Sequence, residues 1–124
     1  MMKLELRETL TTDPEQVAHA RQLVAGYLRD LGSTEEEVAV LLVSELVTNA
    51  ILHASGPLEL RARPLDDGLR VEVLDSASHA PMLRTEVDLT DIGGRGLQLV
   101  DVLADRWGWS ESDEGKVVWF ELDG

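Results

Sequence analysis

The stretch from about Glu35 to Ala54 constrains this chain more than any other. Val38, Leu41, Leu42, Val43, Leu46, Val47, Ile51 and Leu52 recur at helical spacing and cover most of the circumference. A helix that is apolar nearly all round is buried on most faces, so other elements must wrap it. Within that apolar surround, Glu45, Asn49 and His53 stand at i, i+4 and i+8, along one stripe. A carboxylate and an amide on a mostly buried helix need partners, or they cost about 1–3 kcal/mol each. The stripe alone fits either an internal polar network at a groove edge or a ligand site.

The rest of the chain supplies the wrapping. Lys3 to Leu10 alternates as a short strand. Asp13-Pro14 reads as a helix start, with Asp13 as N-cap and Pro14 at the first helical position. Val17, Ala20, Leu23, Val24, Tyr27, Leu28 and Leu31 follow at helical spacing, and Gly32 suits the C′ position. Ser33 with Glu36, or Thr34 with Glu37, offers a capping box for the central helix, and Ser55-Gly56-Pro57 ends it. Leu58 to Pro64 and Leu69 to Leu74 read as strands joined at Asp66-Asp67-Gly68. A polar stretch from Asp75 to Gly94 has no clear period and is long for a connection. A helix from Leu97 to Ala104 follows, then strands Arg106 to Ser110 and Val117 to Leu122, turning near Asp113-Glu114-Gly115. The order β-α-α-β-β-loop-α-β-β lacks parallel βαβ alternation. It predicts an α+β fold, a two-layer sandwich with helices on one face of a mixed, mostly antiparallel sheet.

Residues 1–124 suit one domain. The absence of cysteine excludes disulfides and thiolate zinc sites. No apolar run is long enough to span a membrane, and the first residues lack a signal-peptide core, so a cytoplasmic location is expected. Eleven basic residues against 24 acidic ones leave a net charge of −13. That balance argues against nucleic-acid and anionic-membrane partners, which call for a basic face. It also sets a condition on any anionic ligand: a metal ion, a helix N-terminus or an arginine must compensate locally.

Two further features bear on such a ligand. Gly93-Gly94-Arg95-Gly96-Leu97 opens a helix, where glycines let backbone N–H groups approach a phosphate and Arg95 adds a charge. A flexible hinge is the plainer reading, and neither a P-loop nor a dinucleotide fingerprint is present. Asp75 closes the strand Val71-Glu72-Val73-Leu74, where it serves as a turn former or as an acceptor for an exocyclic amine.

Taken together, these residues resemble the GHKL ATPases, the Bergerat-fold superfamily of gyrase, heat-shock chaperones, histidine kinases and mismatch-repair proteins. Glu45-Leu46-Val47-Thr48-Asn49-Ala50 with His53-Ala54 looks like the N-box. Asp75 stands where the G1 box begins, and Gly94-Arg95-Gly96-Leu97 looks like the G2 box. The short length, with Ala104-Asp105-Arg106-Trp107-Gly108 and Val118-Trp119-Phe120-Glu121-Leu122, is similar to the stand-alone anti-sigma-factor serine/threonine kinases.

The resemblance implies ATP and Mg²⁺ as cofactors. By it, Asn49 coordinates the Mg²⁺, Glu45 is the general base, and Asp75 accepts from the adenine amino group. Residues Ser76 to Gly93 form a lid, and Gly94, Arg95, Gly96 and Leu97 hold the phosphates. It implies a sigma factor and an anti-sigma-factor antagonist as partners, with pairing into a homodimer a property of many members. A helix face carrying Arg21 is a candidate docking surface, and Trp107, Trp109 and Trp119 are expected as sheet and core residues. The chain departs from the pattern where Ala77 and His79 replace G1 glycines, and where Val117 replaces a threonine that hydrogen-bonds at the adenine end. Those changes predict weaker or less adenine-selective binding, and they keep a non-catalytic nucleotide-sensing or protein-binding regulator open beside the kinase.

Overall fold

In the computed structural model the described residues are 5–53, 56–75, 92–112 and 115–123. They form β1 (Leu6–Leu10), α1 (Gln16–Leu31), α2 (Glu36–His53), β2 (Leu58–Leu65), β3 (Gly68–Asp75), α3 (Ile92–Leu103), β4 (Arg106–Ser112) and β5 (Gly115–Asp123). This is the order the sequence predicts. The five strands make one sheet in the order β1-β2-β3-β5-β4, and each of the four pairings is antiparallel.

Period-two alternation decides which face is covered. Leu58, Leu60 and Ala62 of β2, Leu69, Val71 and Val73 of β3, and Val118, Phe120 and Leu122 of β5 are all buried. Register brings them into rows, with Leu60 opposite Val73 and Val73 opposite Val118. Ala20, Val24 and Leu28 of α1 and Ala39, Leu42, Val43, Leu46, Val47 and Ala50 of α2 complete the core. α2 packs between α1 and α3 and touches β3 and β5, which is why so much of its circumference is apolar. Leu41 and Leu52 remain exposed. No described helix is long and apolar enough to cross a membrane.

Local signals place most helix ends. Gly32 adopts φ 73° and ends α1, donating to the carbonyls of Arg29 and Leu28, while Ser33 donates to Leu28. That is the glycine-capped end the sequence predicts. The other end differs. Asp13 Oδ1 accepts from the Glu15 N–H at 2.9 Å, and the helix proper starts at Gln16. The carboxylate therefore closes a turn before the helix instead of capping its first turn. Before α2, Ser33 Oγ accepts from the Glu35 N–H at 3.0 Å, a local turn in place of the reciprocal capping box.

α3 departs further from expectation, beginning at Ile92 and not at Leu97. Glycine costs a helix roughly 1 kcal/mol relative to alanine, so the pattern set the start after Gly96. Packing of α3 on α2 outweighs that cost. Residues 76–91 of the expected lid, including Ala77 and His79, lie outside the described residues.

The face of the sheet away from the helices is a layer of ion pairs. Arg70 bonds Glu72 at 2.7 Å and Glu121 at 2.8 Å, and its guanidinium lies 4.1 Å from the Trp119 ring centroid. Arg106 bonds Glu121 at 2.8 Å and Asp123 at 2.5 Å. Gly108 faces Trp119, and a Cβ there would sit 2.8 Å from the indole, so the glycine makes room for the ring. A Cβ on Gly68 would collide with the Leu122 backbone carbonyl, so β3 and β5 close together only because residue 68 has no side chain. All three tryptophans lie on strands: Trp109 is exposed, Trp119 is half-buried on the face away from the helices, and Trp107 is half-buried and packs against the core.

The hydrogen bond from Arg106, and after it the one from Arg70, holds the Glu121 carboxyl below the usual carboxylate range despite partial burial. A group whose folded value lies below its unfolded one adds stability above the ordinary range. That stability is lost as pH falls through the folded value. Glu121→Gln should therefore lose less melting temperature than wild type when the pH drops below about 4.3. Thermal unfolding at pH 7 and pH 3.5 for both proteins measures this, and equal acid losses would refute it.

Candidate nucleotide site

Glu45 and Asn49 stand one turn apart on α2. Asn49 is 1% exposed, and its Oδ1 has no hydrogen-bond partner among the described residues. Glu45, one turn earlier, is half-buried. Thr48 is half-buried and Ser44 buried, and Arg21 of α1 reaches the Ser44 hydroxyl at 3.4 Å. His53 is the last residue of α2, and its side chain is outside the described residues. An amide oxygen withheld from water and left without a donor costs about 1–3 kcal/mol. An acceptor kept in that state is suited to a ligand that supplies the missing partner. Mg²⁺ is such a ligand, since it takes oxygen donors and keeps most of its shell as water and phosphate. Among the described residues no cluster of three His, Asp or Glu side chains offers an alternative metal site.

Asp75 ends β3 and is buried at 7% exposure. It borders a cleft of about 410 Å³ at one end of the sheet that opens on the face away from the helices, where Thr9, Glu59, Leu74, Val117 and Ser110 form a row, while the Asp75 side chain is in phase with Val71 and Val73 on the helix-covered face. α2 runs toward this end, because the chain leaves it at His53 and enters β2 at Leu58, and β2 pairs Glu59 with Leu74. Asn49 thus sits near the end of α2 that faces the end of the sheet holding Asp75. Neither Glu45 nor Asn49 lines the cleft itself.

Gly94, Arg95, Gly96 and Leu97 fall in the first half of α3, which packs on α2. α3, which carries the segment expected to hold phosphates, and the Asn49 helix are therefore neighbours. The start at Ile92 shifts the unpaired first-turn N–H groups to a few residues before those the sequence suggested. The side chains of Arg95 and Leu97 are outside the described residues.

Register corrects one expectation. Asp75 pairs with Lys116, and Leu74 pairs with Val117. Residues opposite each other share a face, so Val117 points to the face away from Asp75. The neighbour of Asp75 is Lys116, which is 2% exposed and whose Nζ has no hydrogen-bond partner among the described residues. The signal was present in the strand alternation, since Lys116 is in phase with Val118, Phe120 and Leu122. A lysine in phase with core residues is unusual enough to mark a position.

A search of curated proteins finds no match. Among solved structures, the fold is similar to that of the RsbU and RsbW domains of Rv1364c from Mycobacterium tuberculosis, with a TM-score of 0.74 at 18% identity. That alignment covers 98% of this chain and 32% of the other, so this chain spans about a third of that protein's length. The family model for the histidine kinase-like ATPase domain matches residues 10–122, which takes in both the α2 stripe and the Asp75 strand, and the chain belongs to that family.

Proposed function

We propose that this chain binds ATP with Mg²⁺ and phosphorylates a serine or threonine of an anti-sigma-factor antagonist, holding a sigma factor when the antagonist is phosphorylated. The observation that carries the reading is the buried, unpartnered Oδ1 of Asn49, one helical turn from Glu45. Bound Mg²⁺ would neutralise phosphate charge, which an acidic protein of net charge −13 must otherwise do with its own side chains. Asn49 supplies an oxygen to the metal, and Asp75 accepts from the adenine amino group. Glu45 takes the proton from the attacking hydroxyl as the γ-phosphoryl passes to that oxygen and ADP leaves. Backbone N–H groups at the start of α3 offer partial positive charge to the phosphates. The regulatory assignment rests on the sequence resemblance, and the similar solved structure includes a domain named RsbW.

A second reading, a nucleotide-sensing regulator without transferase activity, is favoured by Ala77 and His79 in place of glycines. Calorimetry with ATP tests the shared premise. Binding should require Mg²⁺, fail in EDTA, and weaken by at least about tenfold in Asn49→Ala, the scale of a lost charge-assisted contact. Because Asn49 Oδ1 has no hydrogen-bond partner among the described residues, the variant should melt close to wild type. Absence of binding at millimolar ATP would eliminate both nucleotide readings. Binding without transfer to any antagonist would favour the second.

A further inference from the structure

Four of the chain's eleven basic residues, Arg7, Arg61, Arg63 and Arg70, line one shallow hollow of about 300 Å³ on the sheet face away from the helices. In a chain of net charge −13 that concentration needs a physical reason. Register makes it more unusual: Arg7 stands opposite Arg61, and Arg63 opposite Arg70. Like charges directly opposite each other destabilise a sheet. The neighbouring carboxylates do not cover the surplus. Arg7 and Arg61 share the one carboxylate of Glu59, at 3.2 and 3.0 Å. Arg70 is already held by Glu72 and Glu121. Glu5 borders the hollow and forms no ion pair with any of the four among the described residues. Nε of Arg61 is buried with no hydrogen-bond partner among the described residues, a sign of more donors than acceptors. Arg63 is exposed and has neither an ion pair nor a hydrogen bond among the described residues.

We infer that this hollow docks an extended acidic segment of a partner protein, whose carboxylates at alternate positions meet Arg61 and Arg63, with Arg7 beside them. Arg61 and Arg63 are two residues apart on β2, so their Cα atoms stand about 6.8 Å apart, the same separation as residues i and i+2 of an extended peptide. β2 lies between β1 and β3, so its backbone groups are used within the sheet and recognition falls to side chains. The guanidinium fork matches a carboxylate. A single phosphate spans less than the separation of the two arginines. Long polyanions and anionic membranes are repelled by the glutamates around the hollow and by the acidic remainder of the chain. A short segment escapes that repulsion, because at physiological salt charges beyond about 8 Å are largely screened.

Fluorescence anisotropy of a short labelled peptide alternating glutamate and serine tests the inference, with the full chain free of nucleotide at physiological salt. The peptide should bind, and its counterpart with glutamine for every glutamate should not. Arg63→Gln should weaken binding about threefold to fivefold, the scale of one exposed ion pair, and Arg61→Gln combined with Arg63→Gln about tenfold or more. Arg29→Gln, at an exposed arginine of α1, should leave it unchanged. Because Arg63 has no partner among the described residues, Arg63→Gln should melt like wild type. Absence of binding at millimolar peptide, equal binding of the glutamine peptide, or wild-type affinity in Arg63→Gln would overturn the docking role. Displacement of the peptide by an equal concentration of inorganic phosphate would overturn it too, by making the hollow a single-anion site. So would a wild-type dimer that Arg63→Gln dissociates in sedimentation, which would make a second copy the occupant. ATP binding, read by calorimetry, is independent of each of these outcomes.

Discussion

Glu45→Ala is expected to slow phosphoryl transfer from Mg·ATP to a serine-bearing antagonist by about 10²- to 10⁴-fold, the usual contribution of a positioned general base. ATP affinity should stay near wild type, because the proposed metal and adenine contacts are those of Asn49 and Asp75. Glu45 is half-buried on the same stripe as Asn49, so truncation removes a carboxylate without opening the centre of the core. Transfer of labelled γ-phosphate, read beside calorimetry on the same samples, separates the effects. A rate equal to wild type would mean that another group takes the proton. A parallel loss of ATP affinity would mean that Glu45 organises the site and does not act on the hydroxyl.

The largest expected effect on stability is at Phe120. It is fully buried at the middle of β5, opposite Val71 on one side and Trp107 on the other. It is the single phenylalanine of the chain. Phe120→Ala should cost about 3–5 kcal/mol, which for a domain of this size lowers the melting temperature by roughly 10–20 °C. Calorimetric melts with and without Mg·ATP measure it, and a fall of only a few degrees would show that α2 and the sheet collapse into the cavity.

How much of this was legible in advance depended on how local the cause is. The stripe of Glu45 and Asn49 is a property of one helix, where spacing alone aligns residues. The Gly32 end of α1 and the β2–β3 hairpin around Asp66-Asp67 are also decided within a few residues. The start of α3 was misjudged because the intrinsic cost of its glycines is visible in the sequence and its packing on α2 is not. The capping roles of Asp13 and Ser33 were close but displaced, since both side chains also serve turns just outside the helix.

By itself, then, the sequence determined a buried central helix with one polar stripe, flanked by an amphipathic helix and by strands whose alternation leaves one face apolar. Periodicity and turn chemistry suffice for that, because they act between residues a few positions apart. Only the tertiary structure decided that β5 lies between β3 and β4, and that Lys116 stands beside Asp75 while Val117 turns away. Those facts depend on pairing strands far apart in the chain. A slip of one residue would exchange every side chain between the two faces, and the burial of Val118, Phe120 and Leu122 against the helices holds the register that places Lys116.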